Sequence, residues 1–204
     1  MKTEYKESID HLKSRDPVLS KIIDDIGECL LSKNNNYFSS LVRIIIHQQL
    51  SIRVANTIYK RFLEVINNNP SPEAILEISI DRFKEAGISE RKIEYILGLS
   101  MHFLTYRVDD EFFNNLSNQE IIEYLTKIKG LGRWSAEMFL IFSMNRLDVL
   151  PLDDIGFLRA LERSYGIKNI SKEQIYSITS KWGPYSTIAV WYLWQSSNKM
   201  IVQL

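Results

Sequence analysis

The sequence predicts an all-α fold, and three observations carry that prediction. Apolar residues recur at three- and four-residue spacing in almost every segment, strand-like alternation is missing, and helix-start signals punctuate the chain at short intervals. Asp16-Pro17 is the first such signal, an acceptor for free amides followed by a residue preset for the first helical turn. Val18, Leu19, Ile22, Ile23, Ile26, Leu30 and Leu31 continue its pattern, with Cys29 expected to pack among them. After the polar break Lys33 to Asn36, the stretch from Tyr37 to Leu50 reads as a largely buried helix. Ile44-Ile45-Ile46 could alone be a strand, but neither turn signals nor partner strands accompany it.

Ser51 starts a helix through Val54, Ala55, Ile58, Phe62 and Ile66, and Asn67 to Pro70 is a loop. Ser71-Pro72, Asp81 and Ser89 start three more, the last carrying Ile93, Ile96, Leu97, Met101 and Leu104. Ser117 to Glu120 is a capping box, in which side chains and backbone amides satisfy each other, ahead of Ile121, Ile122, Tyr124, Leu125 and Ile128. An apolar helix then runs from Trp134 to about Asn145, another follows Asp154, Ser171 starts one more, and Pro184 precedes the last. Roughly ten short helices without a long linker predict one compact unit with two helical lobes.

Composition excludes more than it selects. With 204 residues and 45% hydrophobic content the chain can bury a sizeable core. Twenty-five basic and 25 acidic residues balance to zero, so net charge says nothing for nucleic acid. Beyond Asp154 the charges are mostly positive (Arg159, Arg163, Lys168, Lys172, Lys181, Lys199), which permits a basic face there. The single cysteine, Cys29, excludes an internal disulfide and any four-cysteine zinc or iron–sulfur site. The polar, mixed-charge start and the lack of a membrane-length apolar run predict a soluble intracellular protein, cytoplasmic or, in a nucleated cell, nuclear. His47 and His102 read as structural, His11 lies in a polar helix, and no metal-ligand spacing is present.

Three constellations carry chemistry. In Ile128-Lys-Gly-Leu-Gly-Arg-Trp-Ser-Ala136, two glycines sit between consecutive helical patterns. A tight Gly-x-Gly bend exposes backbone N–H groups at a helix start, where the dipole favours a phosphate, and Arg133 adds a positive charge. The same pattern also serves plain helix–helix connections. In Pro151-Leu-Asp153-Asp154, one aspartate suffices as a cap; a pair allows one to cap while the other projects as an ionised carboxylate. Such a carboxylate stabilises the oxocarbenium that develops as an N-glycosidic bond breaks. Of the aromatic residues Trp134, Trp182, Tyr185, Trp191, Tyr192 and Trp194, most read as core; Trp134 and Tyr185 are placed to line a cleft and stack on a base.

Taken in order, Lys129-Gly-Leu-Gly-Arg-Trp-Ser-Ala-Glu-Met138, Asp148 to Asp154, Lys181-Trp-Gly-Pro-Tyr-Ser186, Ala189 to Trp194 and His47-Gln-Gln-Leu-Ser51 resemble the DNA-3-methyladenine glycosylase II (AlkA-like) branch of the helix–hairpin–helix DNA glycosylases. The resemblance implies a two-lobed helical fold; the extra N-terminal β-domain of some members is not expected here, because helical patterning begins almost at once. One lobe would comprise about 1–36 and 150–204, the other, with the hairpin, about 37–149. It implies Asp154 as the catalytic aspartate and Asp153 as its structural neighbour. Gly130, Leu131, Gly132, Arg133 and Ser135 would hold DNA phosphate, in some relatives with a monovalent cation on the 128–132 carbonyls. Trp134 and Tyr185 would line the base pocket, and Gln48, Gln49 and Leu50 would fill the gap left by a flipped nucleotide. Trp134 stands where bifunctional relatives carry a Schiff-base lysine, so no β-lyase activity is expected. Ser186 and Lys129 depart from the residues common in the branch, basic and small or proline respectively.

The expectation is therefore a monomeric, cofactor-free glycosylase that acts on double-stranded DNA with alkylated purines and does not associate with membranes. Hypoxanthine, ethenoadenine or uracil as the lesion, and a non-catalytic helix–hairpin–helix DNA-binding module, are the alternatives.

Overall fold

The structure is a computed structural model that describes residues 5–34 and 36–197. Among these residues it contains thirteen helices and no strand. The chain divides into two compact units, one from Met1–Ser32 with Asn145–Gln203 and one over Lys33–Met144. The expected lobe limits at residues 1 and 204, and the basic Lys199, lie outside the described residues.

The discontinuous unit contains α1 (Lys6–Arg15), α2 (Pro17–Ile26), and, from the later part of the chain, three helices described below; the continuous unit comes between them in sequence. Within the continuous unit run α3 (Tyr37–His47), α4 (Ile52–Val65), α5 (Pro72–Leu76), α6 (Ile80–Glu85), α7 (Glu90–Tyr106), α8 (Asp110–Asn114), α9 (Asn118–Leu125) and α10 (Arg133–Phe142). Its centre is α3, buried at ten of eleven positions and packed by α4, α7 and α10. A helix apolar on all sides is stable only when covered on all sides, and Ile44 to Ile46 are helical for that reason. Tyr37, Phe113 and Phe139 meet edge to face with centroids 5.1 to 6.0 Å apart, joining α3, α8 and α10.

The rest of the first unit is α11 (Ile155–Tyr165), α12 (Lys172–Thr179) and α13 (Ser186–Ser197). Here α13 is the centre, with every side chain from Ser186 to Trp194 buried and α1, α2 and α11 against it. Tyr192 donates its hydroxyl to Gly27 O at 2.8 Å, fastening α13 to the end of α2.

The caps follow the sequence signals: Asp16 accepts from the Val18 and Leu19 amides, and Ser117 and Ser171 form capping boxes. Three expectations change. The first apolar pattern does not run to Leu31, because Gly27 (φ 84) ends α2 and leaves Leu30 exposed while Cys29 and Leu31 are buried. The buried stripe of α7 is Ile93, Ile96, Leu99 and Phe103, so Met101 and Leu104 face outward. Helix α3 ends at His47, which frees Gln48, Gln49 and Leu50 as a turn.

Candidate active site

In the continuous unit, the link from α9 to α10 is a hairpin anchored by Ile128 and Leu131, both buried, with the Leu131 amide donating to Ile128 O at 3.0 Å. Gly130 has φ 95, and the ring of Tyr95 occupies the space that a Cβ there would need. Gly132 differs. It is extended (φ −100) with open space around it, and as the N-cap of α10 it brings no side-chain cap to the first turn. A helix start without such a cap attracts an anion. Carbonyl oxygens carry two lone pairs; Ile128 O and Gly130 O each accept one hydrogen bond, so this donor set still fits a monovalent cation.

Around the hairpin, Arg133 Nε donates to Glu137 Oε1 at 2.9 Å, with Glu137 almost wholly buried and Arg133 largely exposed. Nothing in the local sequence singles out this acid. Lys129 pairs with Glu94 at the surface. Ser135 is 2% exposed and its hydroxyl lies 3.0 Å from Gln48 Nε2, which also donates to Gly130 O at 2.8 Å. The Ser135 hydroxyl and the Gln48 side-chain amide are thus bonded to each other, which ties the turn after α3 to the hairpin. Gln49 and Leu50 are exposed, and Trp134 is half-buried on the first turn of α10. Burial, with the charges of Arg43 and Lys92, pushes the His47 imidazole down to about 4, so it is neutral at physiological pH.

In the discontinuous unit, Asp154 is the N-cap of α11: its Oδ1 accepts the Phe157 amide at 2.5 Å. The same oxygen accepts the indole N–H of Trp194 at 3.1 Å. The expected division of labour between the two aspartates does not occur. Asp154 itself is both cap and half-buried carboxylate, while Asp153 is exposed. Trp194, a core residue by its sequence pattern, is a site residue that the pattern does not reveal, and Gly156 is another. A Cβ at Gly156 would stand 3.0 Å from Asp154 Oδ1 and 3.6 Å from Trp194 Nε1, so the bare glycine leaves room for their bond. The Gly at the second helical position was the available signal. Tyr185 follows the cis Gly183–Pro184 peptide, is half-buried, and donates its hydroxyl to Glu7 Oε1 at 2.9 Å. Trp182 is fully buried and donates its indole N–H to Asp16 Oδ2, so it belongs to a different carboxylate.

Residues 42–184 match the HhH-GPD superfamily of base excision DNA repair proteins. The chain belongs to that superfamily. It is 31% identical over 200 residues to the alkylbase DNA glycosidase-like protein mag2 of Schizosaccharomyces pombe, covering 95% of this chain and 94% of that protein. The solved structure of a 3-methyladenine DNA glycosylase from the same yeast, in complex with abasic DNA, superposes with a TM-score of 0.86 at 32% identity, covering 96% of this chain and 98% of that one. A DNA-3-methyladenine glycosidase structure from Bacillus halodurans gives a TM-score of 0.79 at 36% identity, covering 94% and 89%. Among the described residues of this family member, no three His, Cys, Asp or Glu side chains converge as a metal site, and no helix is long and apolar enough to cross a membrane.

Proposed function

We propose that the chain is a monofunctional glycosylase that hydrolyses the N-glycosidic bond of alkylated purines of the 3-methyladenine type in double-stranded DNA. The observation that carries this reading is the Asp154 carboxylate, oriented by the α11 amide and by Trp194 yet still open to solvent. The names of the relatives point to the same substrate class.

The chemistry follows from charge. A base leaves the stack at a cost of about a few kcal/mol, least where it is damaged or mispaired. A purine alkylated at N3 or N7 is cationic, and an electron-rich face, of Trp134 in one unit or of Tyr185 in the other, favours such a ring by roughly 0.5 to 2 kcal/mol per well-placed contact. As the C–N bond breaks, its electron pair departs with the base and positive charge grows on the sugar. Asp154 stabilises that charge, and water adds to the sugar carbon with loss of a proton. No amine stands at position 134, so the strand remains intact.

The α10 amides hold a DNA phosphate, with Arg133 adding charge, and Gln49 and Leu50 enter the gap in the duplex. The carbonyls of Ile128 and Gly130 would hold a monovalent cation, which supplies positive charge toward the phosphate. The protein works as an intracellular monomer. Base release measured separately on DNA containing 3-methyladenine, 7-methylguanine, ethenoadenine, hypoxanthine and uracil tests the reading. Release of methylated purine, with the strand cut only after alkali, is expected; release from none would leave a DNA-binding module.

A further inference from the structure

The turn after α3 is held in a way that the reaction described above does not use. Helix ends leave carbonyls without intrahelical partners, and here two of them, Ile46 O and Gln48 O, accept from Lys92 Nζ at 2.7 and 2.8 Å. Lys92 sits in the first turn of α7, half-buried, and burial lowers its pKa. His47 is neutral, so Lys92 supplies the charge that these carbonyls meet.

Gln48 is therefore fixed twice. Its backbone carbonyl is bound to α7 through Lys92, and its side-chain amide is bound to the hairpin through Gly130 O and Ser135 Oγ. The next residue, Gln49, is exposed and left-handed (φ 57). A non-glycine residue keeps that conformation only where its neighbours over-determine it. Leu50 beside it is 38% exposed, an apolar side chain presented at the tip of a fastened turn.

We propose that Lys92 is a positioning residue for base extrusion. Its ammonium holds residues 47–50 as a preformed wedge, so the turn is ordered before DNA arrives and not at the expense of binding. This rests on the glycosylase reading. It predicts that Lys92 matters for substrates whose base must be pushed from a paired stack, and little for those whose base is already unpaired.

The test compares the full chain with Lys92→Met on two DNAs, each made with 3-methyladenine and, in parallel, with 7-methylguanine. In one the lesion is paired in a duplex; in the other it lies in a single-nucleotide bulge. Single-turnover release from the paired lesion should fall about ten-fold or more, the scale of a lost charge-assisted hydrogen bond, with release from the bulge little changed. The fluorescence rise of a 2-aminopurine extruded from a duplex should weaken in step. Lys92→Arg, which keeps charge and donors, should restore most of the paired rate.

Equal losses on both DNAs would mean that Lys92 only supports the fold, and would overturn the proposal; so would no loss on either. Where far-UV dichroism shows Lys92→Met unfolded, Lys92→Gln, which keeps a donor but no charge, carries the same comparison. A parent chain that releases base from neither DNA overturns the glycosylase reading and the wedge with it. Parent activity with an unchanged paired-to-bulged ratio overturns the wedge alone.

Discussion

Two aspartates in the discontinuous unit begin from the same local device and end in opposite states. Asp16 caps α2 and Asp154 caps α11, and each accepts an indole N–H, from Trp182 at 2.9 Å and from Trp194 at 3.1 Å. Asp16 is completely buried and also takes the Tyr165 hydroxyl at 2.5 Å and an ion pair from Lys181 at 3.2 Å. Asp154 keeps part of its surface in solvent. A saturated, sealed carboxylate can only stabilise the fold; an oriented but accessible one can answer charge that appears on a substrate. What separates Asp16 from Asp154 is therefore access, while cap geometry is common to both.

The largest effect is expected at the open site. Asp154→Asn keeps the cap, because asparagine serves as well as aspartate there, and removes the charge. Base release should drop by about 10²–10³-fold, the cost of losing one preorganised stabiliser, with duplex affinity and melting temperature unchanged. Unaltered single-turnover release of 3-methyladenine would erase the contrast. The sealed site should respond in stability instead. Asp16→Ala strands the donors of half-buried Tyr165 and buried Trp182, each worth about 1–3 kcal/mol, and urea unfolding should show a loss of about 3 kcal/mol. The folded fraction should excise base at the parental rate.

Trp194→Phe removes the orienting N–H and, because phenyl is smaller than indole, leaves a gap at this buried position. Release should slow by about ten-fold while stability falls by about 1–2 kcal/mol, read by kinetics and melting on one preparation. The pH dependence distinguishes the pair further. Burial raises the pKa of Asp16, but bonds from Trp182, Tyr165 and the Leu19 amide, together with Lys181, outweigh it and bring the carboxyl below its ordinary value. A folded-state pKa below the unfolded one gives stability that is complete above the unfolded value of about 3.9 and is lost as pH falls through the folded one. The stability difference between parent and Asp16→Asn should shrink as urea titrations move below about pH 4. Lys181→Met should matter least, by about 0–1 kcal/mol, because the amine is one-third exposed and screened.

What could be read in the sequence was local. The hairpin glycines, the Pro151 to Asp154 connection and the Ser117 capping box are all patterns within a few residues, and each places its helix end. What could not be read was the pairing of distant side chains. Trp194 lies 40 residues from Asp154, Gly130 lies 82 from Gln48, and Trp182 lies 166 from Asp16. An indole in an apolar segment has the same local pattern whether its N–H meets a half-buried carboxylate or a sealed one. The stripe of α7 failed for a related reason: Leu97, Met101 and Leu104 satisfy helical spacing as well as Ile96, Leu99 and Phe103 do, and tertiary packing chose between them.

The split of one unit across the chain has a consequence for synthesis. Residues 33–144 are contiguous, so the hairpin, the Gln48 turn and Lys92 can assemble while the later chain is still being made. Asp154 gains Trp194 only after α13 has been translated, and α2 waits for the same helix through Tyr192. During translation, the hairpin and the turn after α3 can therefore form before the Asp154 carboxylate has both of its hydrogen bonds.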